Sequence, residues 1–97
     1  MKKPETLIVQ AILARIFELG GDGYHVHGSM LQRAGEPDID ASVPDLRGKH
    51  LHIKCEVKVP GEKPSPLQQH RLEEYRKRGY TAFWCTSVEE FERAIGH

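Results

Sequence analysis

The 97-residue sequence predicts a mixed α/β fold in the order α-β-β-β-α-β-α, with a mixed central sheet flanked by helices. Three observations carry that expectation. Apolar residues recur three and four apart near the N-terminus, which is the helical period. They alternate strictly from Lys49 to Val59, which is the strand period. A capped helical segment then separates two strand-like segments, the crossover that parallel strands require. The length allows one domain over residues 1–97, and 38% hydrophobic with 29% charged residues is the composition of a chain that folds.

Leu7, Ile8, Ala11, Ile12, Ala14, Ile16, Phe17 and Leu19 place an apolar stripe on a first helix, Glu5 to Leu19, and Gly20-Gly21 offers the left-handed conformation in which helices end. Tyr24 to His27 predicts a short strand. Gly28 to Pro37 shows no period and is expected as a loop leading into a second strand, Asp38 to Val43. In the third strand, Lys49 to Val59, the residues Leu51, Ile53, Cys55 and Val57 point one way, and His50, His52, Lys54, Glu56 and Lys58 the other. Pro44-Asp45-Leu46-Arg47-Gly48 is turn chemistry, so these two strands form an antiparallel hairpin. After a loop from Pro60 to Pro64, Ser65 is the N-cap of a second helix, Pro66 its first residue, and Gln68 closes a capping box. That helix runs to about Arg78 and ends at Gly79. Tyr80 to Thr86, aromatic and β-branched, returns as a strand parallel to the third. Ser87-Val88-Glu89-Glu90 repeats the capping-box pattern and opens a last helix whose Val88, Phe91, Ala94 and Ile95 face the core.

Composition narrows the function. The stretch from Leu7 to Leu19 is interrupted by Gln10, Arg15 and Glu18 and falls short of the ~20 apolar residues of a membrane span. Lys2-Lys3 is followed by Pro4-Glu5 with no small-residue cleavage site, so a cytoplasmic protein is expected. Cys55 and Cys85 are too few for a disulfide framework and lie outside any CxxC metal spacing, which leaves them as buried free thiols. Basic and acidic residues balance at 14 each, yet Met1 to Leu46 carries a net −3, Arg47 to Gly79 +5 and Tyr80 to His97 −2. The basic middle third is suited to attract phosphates; a solvated lysine-rich face is the plainer alternative.

Glu56 and Lys58, two apart on an extended strand, project from one face and can share a site. Alone, such a pair is ordinary surface chemistry worth at most ~1 kcal/mol. Asp38 on the preceding strand raises its interest, because hairpin neighbours lie about 5 Å apart and a second carboxylate can reach the first. Two carboxylates, completed by water and a substrate phosphate, are a common Mg²⁺ set, and Mn²⁺ accepts the same oxygens. Lys58 is then placed to orient an activated water or to offset charge building on the phosphate. Gln68, in the first turn of the next helix, can point its amide to the same place, or simply close its capping box.

Gly35-Glu36-Pro37-Asp38-Ile39, then Glu56-Val57-Lys58, then Gly61-Glu62-Lys63-Pro64-Ser65-Pro66-Leu67-Gln68, with Gly79 and Thr86-Ser87-Val88-Glu89-Glu90, resemble the virus-type replication-repair nuclease (VRR-NUC) domain of the PD-(D/E)XK nuclease superfamily. The resemblance runs from the first helix to the last, and the ordered combination of Pro-Asp, Glu-x-Lys and Ser-Pro-x-Gln is far more specific than any one part. It implies a restriction-endonuclease-like core and a DNA endonuclease dependent on Mg²⁺ or Mn²⁺. Asp38 and Glu56 are then the metal ligands, the Val57 backbone carbonyl completes the protein ligands, Lys58 is the catalytic lysine and Gln68 the supporting glutamine. Superfamily members often add an acidic residue from the first helix, which is Glu5 here, although its charge equally suits a helix N-terminus. Stand-alone domains of the family look like homodimers acting on branched DNA such as four-way junctions, so that assembly and substrate are implied too. A catalytically silent DNA-binding module, and a nuclease for flaps or ordinary duplex, are the alternatives.

Other residues have both a functional and a plain reading. His25 and His27, with His50 and His52, alternate on two segments and would make a zinc site if they met; without a cysteine at matching spacing, exposed or phosphate-facing histidines are the better expectation. Asp40 shares the strand face of Asp38, either as an additional ligand or as a solvated acidic strand end. Arg71, Arg76, Lys77 and Arg78 suit contacts to a DNA backbone or an ordinary solvated helix face. Trp84, on the returning strand, is expected in the core rather than as a base-stacking platform.

Overall fold

A computed structural model of the chain describes residues 3–26 and 33–97. Helix α1 (Pro4–Glu18) leads into strand β1 (Asp22–His25). Strands β2 (Ile39–Pro44) and β3 (His50–Val57) follow, then helix α2 (Pro66–Lys77), strand β4 (Thr81–Cys85) and helix α3 (Val88–Ala94). The seven expected elements occur in the expected order, with ends shifted by one or two residues. His27 and residues 28–32 of the expected loop lie outside the described residues.

The strands form one sheet in the spatial order β1-β2-β3-β4. The first two pairings are antiparallel, as hairpin-type connections require, and β3 pairs with β4 in parallel because α2 carries the chain back across the sheet. Asp45 shapes the β2–β3 turn, its Oδ1 accepting from the N–H groups of Arg47 at 2.8 Å and Lys49 at 2.9 Å. Both helix ends predicted at glycines are left-handed, at φ 87° for Gly20 and 92° for Gly79.

One face of the sheet is covered by α1 and α3. Val9, Ile12 and Ile16 pack there on Ile39, Ala41, Val43, Ile53, Cys55, Val57, Cys85, Phe91 and Ile95. Burying each large aliphatic side chain contributes roughly 1.5–3 kcal/mol, so this layer carries most of the fold's stability. Cys55 and Cys85 are free thiols in it, their sulfurs 3.5 Å apart. The other face is covered by α2 alone, where Leu72, Tyr75 and Ala82 form a smaller cluster. Among the described residues no helix is long and apolar enough to cross a membrane.

Four expectations need correction. The α1 stripe is narrower than the apolar count suggests: Val9, absent from the counted set, is fully buried, whereas Leu7 and Phe17 are 53% and 57% exposed and Ala11 and Ala14 also face solvent. At about 100° per residue Leu7 points away from Val9, Ile12 and Ile16. Ala94 is exposed, because Phe91 and Ile95 already fill the buried face of α3. The box at α3 is half formed: Ser87 Oγ accepts from the Glu90 N–H, but the Glu90 carboxylate turns to the N–H and hydroxyl of Thr86. Trp84 is 40% exposed rather than core, because it stands on the edge strand β4, on the face that α2 covers only in part.

Candidate metal centre

The register of β2 on β3 pairs Ile39 with Cys55, which brings Asp38, one residue before β2, beside the end of β3. Pro37 is fully buried and anchors the approach. Asp38 Oδ2 accepts a hydrogen bond from the Val57 N–H at 2.8 Å. One residue's N–H and C=O leave an extended strand on the same side, so the Val57 carbonyl also faces Asp38. The next N–H, that of Lys58, donates in the opposite direction to the Cys85 carbonyl at 3.0 Å, which ties the end of β3 to β4.

Glu56 alternates onto the α2 face and is only 2% exposed. Its Oε1 accepts from Gln68 Nε2 at 3.3 Å, and its Oε2 is buried with no hydrogen-bond partner among the described residues. Glu5 enters from the first turn of α1. One oxygen from each of Glu5, Asp38 and Glu56 lies within 4.8 Å of the others. At an effective dielectric of about 20, two like charges at that separation repel by about 3 kcal/mol. Burial, with the adjacent Asp38 carboxylate adding to it, pushes the Glu56 acid up to about 9. Burial and Asp38 also raise Glu5, while Lys58 acts on both glutamates in the opposite sense and so belongs to the same electrostatic cluster.

The capping box and the site use of Gln68 are not alternatives. Ser65 Oγ accepts from the Gln68 N–H at 3.1 Å, Gln68 Oε1 accepts from the Ser65 N–H at 2.8 Å, and the other end of the same amide donates to Glu56. The cap therefore locks the rotamer that presents Nε2 to the carboxylate. The donor set is all oxygen, anionic and partly orphaned in a buried place, which fits a hard divalent cation.

The structure brings Glu5, Asp38, Glu56, Val57, Lys58 and Gln68 together and leaves the other candidates elsewhere. Among the described residues, Glu5, Asp38 and Glu56 are the acidic, histidine or cysteine groups close enough for an ion. His50 instead bonds Ser42 Oγ at 3.0 Å, and His52 lies 3.6 Å from Asp40. Asp40 is neither a ligand here nor a solvated strand end: Lys54 Nζ donates to its Oδ2 at 2.8 Å. Arg71 is engaged with Glu74 at 2.9 Å and the Ala34 carbonyl, and Arg76 with Glu73 and the Ala82 carbonyl, whereas Lys77 and Arg78 are exposed.

Sequence reasoning missed a second polar cluster. Lys54 Nζ lies 4.8 Å from the centre of the Tyr75 ring, the Tyr75 hydroxyl donates to Glu36 Oε2 at 2.7 Å, and Arg33 pairs with Glu36 at 2.8 Å. This cluster ties Glu36, two residues before Asp38, to α2. The strand alternation that puts Lys54 on the face of Glu56 was its only signal.

No family model matches the chain, and no curated protein does. Among solved structures, one described as a VRR_NUC domain is 30% identical, with 99% of this chain and 98% of that one covered at a TM-score of 0.78. A second, described as a VRR_NUC domain protein, is 19% identical, covers 98% of this chain and 87% of its own, and shares the fold at a TM-score of 0.68. Identity at that level over nearly the whole of both chains, on a fold of the expected topology, places this chain in the VRR-NUC family as a nuclease-type domain.

Proposed function

We propose that the chain is a divalent-metal-dependent endonuclease that hydrolyses phosphodiester bonds of DNA. Glu5, Asp38, Glu56 and the Val57 carbonyl hold Mg²⁺ or Mn²⁺, and Lys58 and Gln68 complete the site. The observation that supports this most is the Glu56 carboxylate, buried beside two others with one oxygen unpartnered among the described residues, a crowding that a cation or a proton relieves. A divalent cation at these oxygens supplies a nucleophilic water at neutral pH and stabilises negative charge on the phosphate. Lys58 adds a fixed positive charge at the place where phosphate charge develops. Gln68 keeps Glu56 turned toward the cluster, and the Val57 N–H does the same for Asp38.

Branched DNA and a homodimer belong to the same proposal. Two copies of a segment carrying +5 enlarge the phosphate-binding surface without adding sequence readout. The test is cleavage of four-way junction, flap, single-stranded and duplex DNA with Mg²⁺, with cut sites mapped, for wild type and for folded Glu56→Ala and Lys58→Ala proteins. Activity lost in both variants supports the assignment, and a preference for the junction supports branched DNA. Equal activity in all three proteins removes the catalytic assignment. Sedimentation at micromolar protein showing only an 11.0 kDa species removes the homodimer.

A further inference from the structure

We infer that Trp84 and the cleft it walls take an unpaired nucleotide of the substrate strand, next to the phosphate that is cut. The inference rests on the nuclease reading above and deepens it by naming the substrate feature and the side chain that reads it.

Trp84 is the chain's single tryptophan and is 40% exposed, while Ala82 on the same face of β4 is 6% exposed beneath α2. In the parallel pairing of β3 with β4, Trp84 is the register partner of Glu56. Register partners project from the same face of a sheet, and neighbouring strands lie about 4.8 Å apart. The backbone positions of Trp84 and Glu56 therefore stand one strand's width apart, with both side chains on the α2 face. A cleft of about 520 Å³ opens between the indole and α2, walled by Pro66, Gln69, His70 and Arg76 among others. Its volume lies within the roughly 300–1,000 Å³ typical of small-ligand pockets. The helix that walls it begins with the turn whose Gln68 touches Glu56. A strand with one phosphate at Glu56 that leads toward β4 therefore meets Trp84 at the adjoining nucleotide.

The chemistry of the cleft selects an unpaired base. Arg76 is paired with Glu73 at 3.2 Å, so the cleft offers little net charge and its main recognition surface is the indole face. Stacking on such a face is sequence-tolerant because every base has a π-surface, but a base held in duplex has both faces covered by its neighbours. A second copy of the chain is a poorer occupant. Glutamate is depleted at the cores of subunit interfaces, and here Glu73 lines the cleft.

The single tryptophan gives a direct reading. With calcium as the divalent ion, wild-type protein is titrated with a short oligothymidine strand and with a duplex of the same length, recording tryptophan fluorescence and the anisotropy of labelled DNA together. The expected result is quenching by the single strand that saturates with the anisotropy, and none with the duplex. Trp84→Ala should weaken single-strand binding by about 5- to 150-fold, the range for losing one stacked base, and Trp84→Phe should restore most of it. Circular dichroism checks that both variants fold. Single-strand binding without a fluorescence change, or equal affinity in a folded Trp84→Ala protein, overturns the inference while leaving the nuclease standing. A fluorescence change on concentrating the protein without DNA, with a species of twice 11.0 kDa in sedimentation, assigns the cleft to a second copy and overturns it as well. DNA that is neither bound nor cut removes both this inference and the proposed function.

Discussion

Replacing Glu56 with glutamine is expected to make the metal-free protein more stable, by an amount that grows with pH. In the folded chain burial, reinforced by Asp38, holds the Glu56 acid up to about 9 against an ordinary 4.5. Below the ordinary value both folded and unfolded states carry the proton and nothing is lost. Between the two values the unfolded chain releases it while the folded chain keeps it, so wild-type stability falls as pH rises, by up to about 1.4 kcal/mol per pH unit. Above about 9 the loss is complete. Glutamine keeps the shape, removes the titration and can donate to the neighbouring carboxylates. From about pH 6 to about pH 8 the variant should therefore gain on the order of 1–3 kcal/mol on wild type. In a domain of this size that is roughly 4–8 °C in Tm for each kcal/mol. The assay is thermal unfolding by circular dichroism across that range in EDTA, repeated with saturating Mn²⁺. The ion should stabilise wild type by binding only its folded state and should do much less for the variant. A stability difference that stays constant or narrows with pH in EDTA would refute the reasoning, because it would mean that the folded carboxyl titrates normally.

Two further outcomes are expected. Ser65→Ala removes the acceptor for the Gln68 N–H, so it should cost about 1 kcal/mol in urea unfolding, while cleavage at temperatures where the variant is fully folded should stay near wild type, because the Ser65 N–H that holds the Gln68 side-chain amide remains. Ile16→Ala should cost about 2–5 kcal/mol whereas Phe17→Ser, one residue along the same helix, should stay within about 0.5 kcal/mol; similar urea midpoints for the two would contradict the helix orientation.

Much of the fold was legible because its signals are local. Turn residues at 44–48, the Ser65-Pro66 helix start and the alternation of β3 act over a few residues, so each element could be placed from its own stretch of chain. Where reading failed, the missing information was which side each element turns to its neighbours. Leu7 and Phe17 have the same apolar character as Val9 and Ile16, and only docking against the sheet and α3 separates them. Trp84 carries a strand-core residue type, yet it lies on an edge strand that one helix does not fully cover. Asp40 and Asp38 are two residues apart in sequence, but Lys54 takes the first and the end of β3 takes the second.

The sequence by itself determined the order of elements, the hairpin and the crossover helix, because spacing, capping and turn chemistry are properties of short segments. Only the tertiary structure decided that Glu5 reaches the two carboxylates, that Gln68 caps its helix and holds Glu56 at once, and that Trp84 stands uncovered beside them. Those relations depend on the register of β2 and β4 on β3 and on where α1 lays its first turn. These are set by packing between segments distant in sequence, and no local pattern carries them.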